Sequence, residues 1–409
     1  HDWGTVADAS VAAIGRIEPR RARPRRPRLA VTTPLPPAAS GTADYAARLI
    51  APLSALAEVH VFAPDHGTTR VPSGVGLHRL EHFSRTAASQ GPFDAVVHSW
   101  GNNEGHVEQL PVMAQWPGIV MAHDVSMAGV LAWCSEHRPD LVAHRSFPEI
   151  VRDLHPDRSD AHEVSVYSDA DVRGLSCTGD VVRWSERVLT HSAAAATQLV
   201  DDNPAHADRV GTIDFAYPTG RPRLRPDRLG QPPLIVSLGL VTEAKRPELL
   251  VEAFAEVRRR VPGCQLAFVG GIGFGQRRRL GQQIENAGLD GAVIFTGRVP
   301  REVYEHWAAS ADLAVQLRDH WGGEASAAIA DAFAWGVPTV ASAFGWSVGL
   351  PDDSVTLVPG DADAGTIAAA VAELLDDGEL RTLRSRTSWQ HARDHSFDAV
   401  ARQLLALVG

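Results

Sequence analysis

The chain has 409 residues, 44% of them hydrophobic and 22% charged, with a formal net charge of −10. That length exceeds one ordinary core and predicts two domains of a soluble globular protein. The acidic balance argues against a nucleic-acid binder, which carries a basic stripe. No apolar run is long enough to span a bilayer. The expectation is a cytoplasmic protein, with peripheral membrane contact left open. Cys134, Cys177 and Cys264 are widely spaced and match no metal-ligand pattern, so they read as buried thiols of a reducing compartment.

Residues 1–15 (HDWGTVADASVAAIG) align without gaps on residues 395–409 (HSFDAVARQLLALVG). His1 meets His395, Trp3 meets Phe397, Val6 meets Val400 and Ala7 meets Ala401. Both segments have amphipathic helix spacing. The expectation is that residues 1–15 are the closing helix of a preceding, similar unit. Residues 18–28 (EPRRARPRRPR) cannot build a core and read as a linker; a basic patch for anionic lipid or nucleic acid is the sharper alternative.

A β/α alternation begins at residue 28. Strands are predicted at 29–33, 59–63, 94–98, 119–122 and 187–192, and a helix at 44–57. Strands alternating with helices predict a parallel, doubly wound sheet, whose ligands lie beyond the C-terminal strand ends. That rule selects three loops: Gly41 with its neighbours, residues 101–106 (GNNEGH), and His123–Asp124. Residues 131–182 are weakly patterned and read as irregular helices forming a lid or an acceptor-side insertion. Residues 219–233 (TGRPRLRPDRLGQPP) form a second linker and mark the domain boundary. The resulting division is 1–27, 28–218, 219–233, 234–390 and a closing helix at 391–409.

The second alternation places strands at 234–238, 265–269, 293–296, 313–317, 339–341 and 356–358. Helices are predicted at 247–261, 276–287, 301–309 and 366–375. The stretch 319–342 (DHWGGEASAAIADAFAWGVPTVAS) organises this half. A Gly-Gly turn leads through Glu324 into a run of small residues, and Asp331 follows seven residues later. Helical spacing puts both acids on one face. Gly336 and Pro338 stop the helix. A glycine turn feeding a helix N-terminus is an anion site, and a carboxylate one turn further in suits ribose hydroxyls. The physics points to a nucleotide diphosphate with something attached.

Five stretches now appear in order: SGTADYAARLIAPL, SWGNNEGH with GIVMAHD, SLGLVTEAKRPELLVEAF, FTGRVP and GGEASAAIADAFAWGVPTVAS. Together they resemble the retaining family 4 glycosyltransferases, over most of residues 28–409. The resemblance implies an α/β GT-B fold: two Rossmann-like, doubly wound parallel-sheet domains facing a cleft, acceptor side first and donor side second. It implies that Gly41 lets the backbone approach the donor and that His123 contacts the donor sugar. Lys245 would neutralise the diphosphate leaving group, and Glu324 would touch sugar hydroxyls. The amides of Ser326, Ala327 and Ala328 would hold phosphate, with Gly270 nearby. Asp331 would accept from the ribose, and Arg298 and Val299 would line the base. Asn102, Asn103, His106 and Asp124 are candidates for acceptor or sugar contacts, or for turn caps.

Two departures from the family pattern stand out. Leu240 occupies the position of a basic phosphate ligand, and Arg246 is the expected substitute. Glu324 and Asp331 have six residues between them instead of seven. The pairs Asp169/Asp171 and Asp361/Asp363 imitate a metal-binding D-x-D but sit in polar loops, so no metal and no cofactor are expected. The implied activity is transfer of a sugar, with retention, from GDP-mannose or a UDP-sugar to a glycan or small-molecule hydroxyl. The alternatives are a non-catalytic binding unit of a tandem protein, or an epimerase or phosphorylase on the same fold.

Overall fold

Runs such as LAV at 29–31 and LIV at 234–236 are apolar on both strand faces, which only a sheet covered on both sides can bury. The computed structural model describes residues 25–38, 40–65, 69–168, 172, 174–221 and 232–408. Among these, one sheet contains β1 (Arg28–Thr32), β2 (Glu58–Ala63), β3 (Gly76–Arg79), β4 (Ala95–Trp100), β5 (Ile119–Ala122), β6 (Arg187–Thr190) and β7 (Val210–Thr212), in the order β3-β2-β1-β4-β5-β6-β7. The other contains β8 (Leu234–Leu238), β9 (Gln265–Val269), β10 (Val293–Phe295), β11 (Leu313–Gln316), β12 (Thr339–Ser342) and β13 (Thr356–Val358), in the order β10-β9-β8-β11-β12-β13. All pairings are parallel; Leu29 lies opposite Ala95 in the first sheet and Leu313 opposite Ile235 in the second.

Strand order reverses between β1 and β4 and again between β8 and β11. At such switch points the two flanking loops diverge and open a crevice. The crevices are therefore lined by residues following β1 and β4, and by residues following β8 and β11.

Several expectations need correction. The helix Gly41–Leu56 starts three residues earlier than predicted, so Gly41 is its first residue, next to the cap position Ser40. β3 and β7 were not predicted; both are short edge strands with little buried surface, and GLHR and VGT carry too few apolar residues to show a period. The described residues of 131–182 form short, irregular helices, as expected, but these are packed into the first domain's core. Their helices, including Phe147–Leu154 and Gly179–Trp184, bury Phe147, Ile150, Val151, Val181 and Val182 in one cluster with Trp100 and Val120 of the first sheet. Short helices broken by Pro and Gly hid that apolar face.

The stop of the Ala327–Ala334 helix is as predicted. Gly336 takes a left-handed conformation (φ 61°), and its N–H donates to Phe333 O at 2.9 Å while that of Val337 donates to Ala332 O at 3.0 Å. The helix Gly378–Asp394 runs through residue 390, where the sequence suggested a bound. The last helix, Phe397–Ala406, returns to the first domain, with the Phe397 ring 5.1 Å from that of Tyr45 and Val400 and Leu404 buried beside Leu49 and Leu53. Cys134, Cys177 and Cys264 are free and buried. No helix among the described residues is long and apolar enough to cross a membrane. Residues 1–24, most of the second linker, and Asp169–Asp171 lie outside the described residues.

Candidate functional site

The loop after β8 is shaped around one lysine. Gly239 (φ 87°) ends the strand, and a Cβ there would stand 2.8 Å from Lys245 Nζ. That ammonium donates to Leu238 O at 3.0 Å. Burial pulls its pKa down to about 7, helped by the positive charge of Arg318. Gly270 (φ 153°) is required by close packing, since a Cβ would overlap the Gly239 carbonyl. Leu240 is 62% exposed. Arg246 does not take over the missing basic position: its guanidinium donates to Gly360 O at 2.7 Å and Ala362 O at 3.1 Å, fastening the loop after β13. A left-handed backbone at Arg246 (φ 49°) turns the side chain that way.

Across the same crevice, the loop after β11 carries Arg318, Trp321 and Glu324. Glu324 does not share a helix face with Asp331. It lies in the loop before the cap residue Ser326, where its Oε1 pairs with Arg318 and its Oε2 accepts from Gly322 N–H at 2.8 Å. Glu324 and Ala325 both precede the cap, so helical spacing does not apply between the two acids. Ser326 caps the Ala327–Ala334 helix, its Oγ accepting from Ile329 N–H at 3.3 Å. The amides of Ala327 and Ala328 are in the first turn, where helical N–H groups have no carbonyl of their own helix to meet. Lys245, Arg318, Trp321, Glu324, Ser326 and Trp346 line one cavity.

Asp331 points elsewhere, into a charged cluster. Its Oδ1 lies 3.2 Å from Arg301 and 3.5 Å from Arg48, the latter reaching over from the first domain. Tyr304 also bonds it, and burial raises its pKa despite these partners. Asp44, one turn before Arg48, is raised by partial burial and drawn back by the charges of Arg301 and Arg298. Arg298 is exposed, while Val299, like Tyr304 and Trp307, is partly buried against the cluster that holds Leu234 and Ala308.

In the first domain the three predicted loops do meet. A Cβ on Gly101 would lie 2.9 Å from Thr42 Oγ1 and 3.1 Å from both Asp124 Oδ2 and His106 Nε2. A Cβ on Gly41 would meet nothing within 4 Å, so this helix start faces open space. The candidate acceptor contacts mostly hold local structure. Asn102 Oδ1 accepts from Val130 N–H at 2.9 Å, and Asn103 Oδ1 from Gly105 N–H at 3.0 Å. His106 is fully buried; its Nδ1 meets Gln109 Oε1 at 2.7 Å, and its Nε2 has no partner.

His123 is likewise turned inward. His191 Nδ1 lies 3.3 Å from Ile213 O, an acceptor only, so that nitrogen carries the proton. Burial pushes His191 down to about 4 and holds it neutral, leaving its Nε2 as an acceptor. His123 Nδ1 must then donate to it, at 3.1 Å, and His123 Nε2 accepts from the Ser99 hydroxyl at 3.0 Å. Asp124 Oδ2 accepts from Asn102 N–H at 2.8 Å. Its pKa is raised to about 6 by burial and by Glu324 across the cleft.

The two domains touch at this point. The N–H groups of Val125 and Ser126 donate to Gly322 O at 2.9 and 3.1 Å. Gly323 (φ 94°) packs so closely on Val125 that any Cβ would overlap it. Among the described residues, no group of three or more His, Cys, Asp or Glu side chains is arranged to hold a metal ion.

Residues 224–388 match the family model of glycosyl transferases group 1. Among solved structures, sucrose-phosphate synthase from Thermosynechococcus elongatus superposes with a TM-score of 0.68, covering 93% of this chain and 98% of that one at 17% identity. HepE from Anabaena in complex with UDP-glucose gives 0.65 over 93% and 99%, at 14% identity. The fold is GT-B. A GDP-mannose-dependent alpha-(1-6)-phosphatidylinositol monomannoside mannosyltransferase from Mycolicibacterium smegmatis is 31% identical over 221 residues, 50% of this chain and 56% of the relative. A D-inositol 3-phosphate glycosyltransferase from Thermomonospora curvata is 28% identical over 250 residues, 55% and 57%. The chain spans about half the length of these curated relatives it matches.

Within the GT-B frame, sequence reasoning missed Arg318, Arg301, Tyr304 and Arg48. Arg318 was within reach: it follows β11 by two residues, beside the switch point. Arg48, Arg301 and Tyr304 carry no such mark, since only tertiary packing brings them to Asp331.

Proposed function

We propose that this chain is a glycosyltransferase that moves a sugar from a nucleotide diphosphate sugar to a hydroxyl of a glycan or small polyol, with retention and without a metal. The observation that carries the reading is the cavity at the second switch point. Lys245, Arg318, Glu324 and Ser326, the cap of the Ala327–Ala334 helix, line it, and the charge of Glu324 is felt at Asp124 of the other domain. Two cations and free first-turn amides suit a diphosphate, whose charge grows as the sugar leaves. They supply the counter-charge that a metal would otherwise provide.

In this reading Asp331 exchanges an arginine partner for ribose hydroxyls, Arg298 and Val299 flank the base, and Glu324 meets the sugar. His123 contacts the sugar only if Nε2 releases Ser99. The donor reading favours GDP-mannose, supported by the name of the mycobacterial relative; the UDP-glucose complex of HepE keeps a UDP-sugar as the alternative. The second domain holds the donor, and the first presents the acceptor near Asp124. In this reading no Asp or Glu acts as a nucleophile on the opposite sugar face, and the departing phosphate is the base for the acceptor hydroxyl. Closure of the domains excludes water.

A thermal-shift screen with GDP-mannose, UDP-glucose and the free nucleotides, with EDTA present, tests this. A ligand at a hundred times its Kd raises stability by about 2.7 kcal/mol. The expected result is a shift with one nucleotide series, lost in Asp331→Ala. No shift with any, with or without Mg²⁺, sinks the reading. Binding without turnover over any acceptor points to a non-catalytic unit, which the apolar Leu240 favours.

A further inference from the structure

We propose that Arg318 is the second phosphate-binding cation of this site, and that it reaches the donor by exchanging Glu324 for the diphosphate. The inference rests on the nucleotide-sugar reading above and adds to it a residue and a switch of partners.

The loop after β8 provides a single cation to the crevice. Leu240 is apolar and exposed, and the Arg246 guanidinium is held by the carbonyls of Gly360 and Ala362. A diphosphate diester carries two negative charges, so Lys245 alone leaves one unmatched. Arg318 stands on the opposite wall, because β11 is the sheet neighbour of β8. Both side chains line the same cavity, and the charge of Arg318 is felt at Lys245. The Arg318 backbone is pinned by its N–H to Ser342 Oγ at 3.0 Å, which leaves the side chain to move.

Among the described residues the one carboxylate bonded to either cation is Glu324, and it pairs with Arg318. Glu324 keeps a second anchor, the Gly322 N–H on its other oxygen. When the diphosphate takes the guanidinium, Glu324 Oε1 is released as an acceptor in the place where the sugar is expected. The present pair is a single contact from Arg318 Nη1 to Glu324 Oε1, so a phosphate that takes the guanidinium in the planar, two-pronged geometry it favours gains a hydrogen bond in the exchange. Binding the diphosphate thereby prepares the sugar contact.

The test is titration calorimetry on the full chain with GDP, UDP, GDP-mannose and UDP-glucose. R318Q should weaken the diphosphate by about tenfold or more, the usual size for a lost charged hydrogen bond, and R318K should recover part of it. E324Q should tighten the free nucleoside diphosphate, because its competitor for Arg318 is gone, while erasing the gain in affinity from the attached sugar. Circular-dichroism melts of the three variants check that each folds. R318Q binding within twofold of wild type overturns the proposal. So does E324Q weakening the free diphosphate as much as R318Q does, which marks the pair as a structural unit. Wild type binding none of the four probes overturns the donor reading itself, a distinct failure.

Discussion

Lys245 gives the sharpest quantitative handle on the site. Its pKa is pulled down to about 7, first by burial and then by Arg318. A bound diphosphate favours the ammonium and restores a higher value. At pH 6 the free protein already holds the proton, so the cation is ready. At pH 8 about nine in ten molecules hold a neutral lysine, and binding must take up a proton. The dissociation constant should therefore rise about tenfold from pH 6 to pH 8, about 1.4 kcal/mol. A nucleotide sugar is the right probe, because its diphosphate diester does not titrate in this range. Calorimetry in buffers of different ionisation enthalpy should show uptake close to one proton at pH 8 and little at pH 6. The ligand-free protein behaves oppositely: between about 7 and the unfolded value of 10.5 the unfolded chain holds more protons, so this group makes stability rise with pH. Flat affinity from pH 6 to 8 with no proton uptake refutes the reasoning. An unchanged slope in Lys245→Met also refutes it.

Three further outcomes are expected. Arg246→Met should lower stability by about 1–3 kcal/mol, because two carbonyls of the loop after β13 lose their donor, yet keep nucleotide affinity within about threefold; a collapse of affinity at an unchanged melting temperature would return Arg246 to the donor site. Asp124 titrates near 6 in the folded protein against an ordinary 3.8, so the folded state holds its proton longer and stability falls as pH rises through that window. Asp124→Asn keeps an acceptor for Asn102 N–H and removes the charge facing Glu324. It should melt above wild type at pH 8, and a lower melting temperature there contradicts the carboxylate conflict. Gly323→Ala forces a Cβ into Val125 at a left-handed φ of 94°, costing about 1–3 kcal/mol in strain alone; an unchanged melt and unchanged donor affinity would show that the loops do not meet this closely in solution.

Most of the architecture was legible because buried parallel strands announce themselves. β5, β8, β9 and β13 have the bounds their apolar runs suggested. β3 and β7 were silent because an edge strand buries little and its sequence answers mainly to solvent. The helices of 131–182 were hidden for a different reason: Ser159–Glu163 and Gly179–Trp184 are too short to display two turns of apolar spacing, and only Phe147–Leu154 carries it, at Phe147, Ile150, Val151 and Leu154. At the site, the glycine read as a place of close approach is Gly41, which has open space around it, whereas Gly239, Gly270 and Gly323 are the ones pressed against protein atoms. What sequence could not reveal is which partner a polar side chain meets. Asn102 and Asn103, in a loop beyond a strand, read equally as ligands or as turn caps, and their Oδ1 atoms accept from backbone amides. Arg246 has the right charge and distance along the chain, but a left-handed backbone at that residue sends it away.

The split of the two acidic residues has a consequence for how donor binding and domain closure connect. Helical spacing would have placed Glu324 and Asp331 in one patch; the fold instead gives each its own arginine. Glu324 holds Arg318 in the cavity that Lys245 lines, and Asp331 holds Arg301 and Arg48. Arg48 comes from the first domain, so the Asp331 cluster is also a bond between domains. In the proposed reading, a ribose that takes over Asp331 loosens that bond, while a diphosphate that takes over Arg318 frees Glu324 toward Asp124 and the acceptor side. The donor then replaces existing contacts instead of adding to them. Net affinity is the difference between two sets of charged hydrogen bonds and stays modest, which favours release of the spent nucleotide. The domains remain joined through Gly322, Val125 and the Phe397–Ala406 helix, none of which the donor is asked to displace.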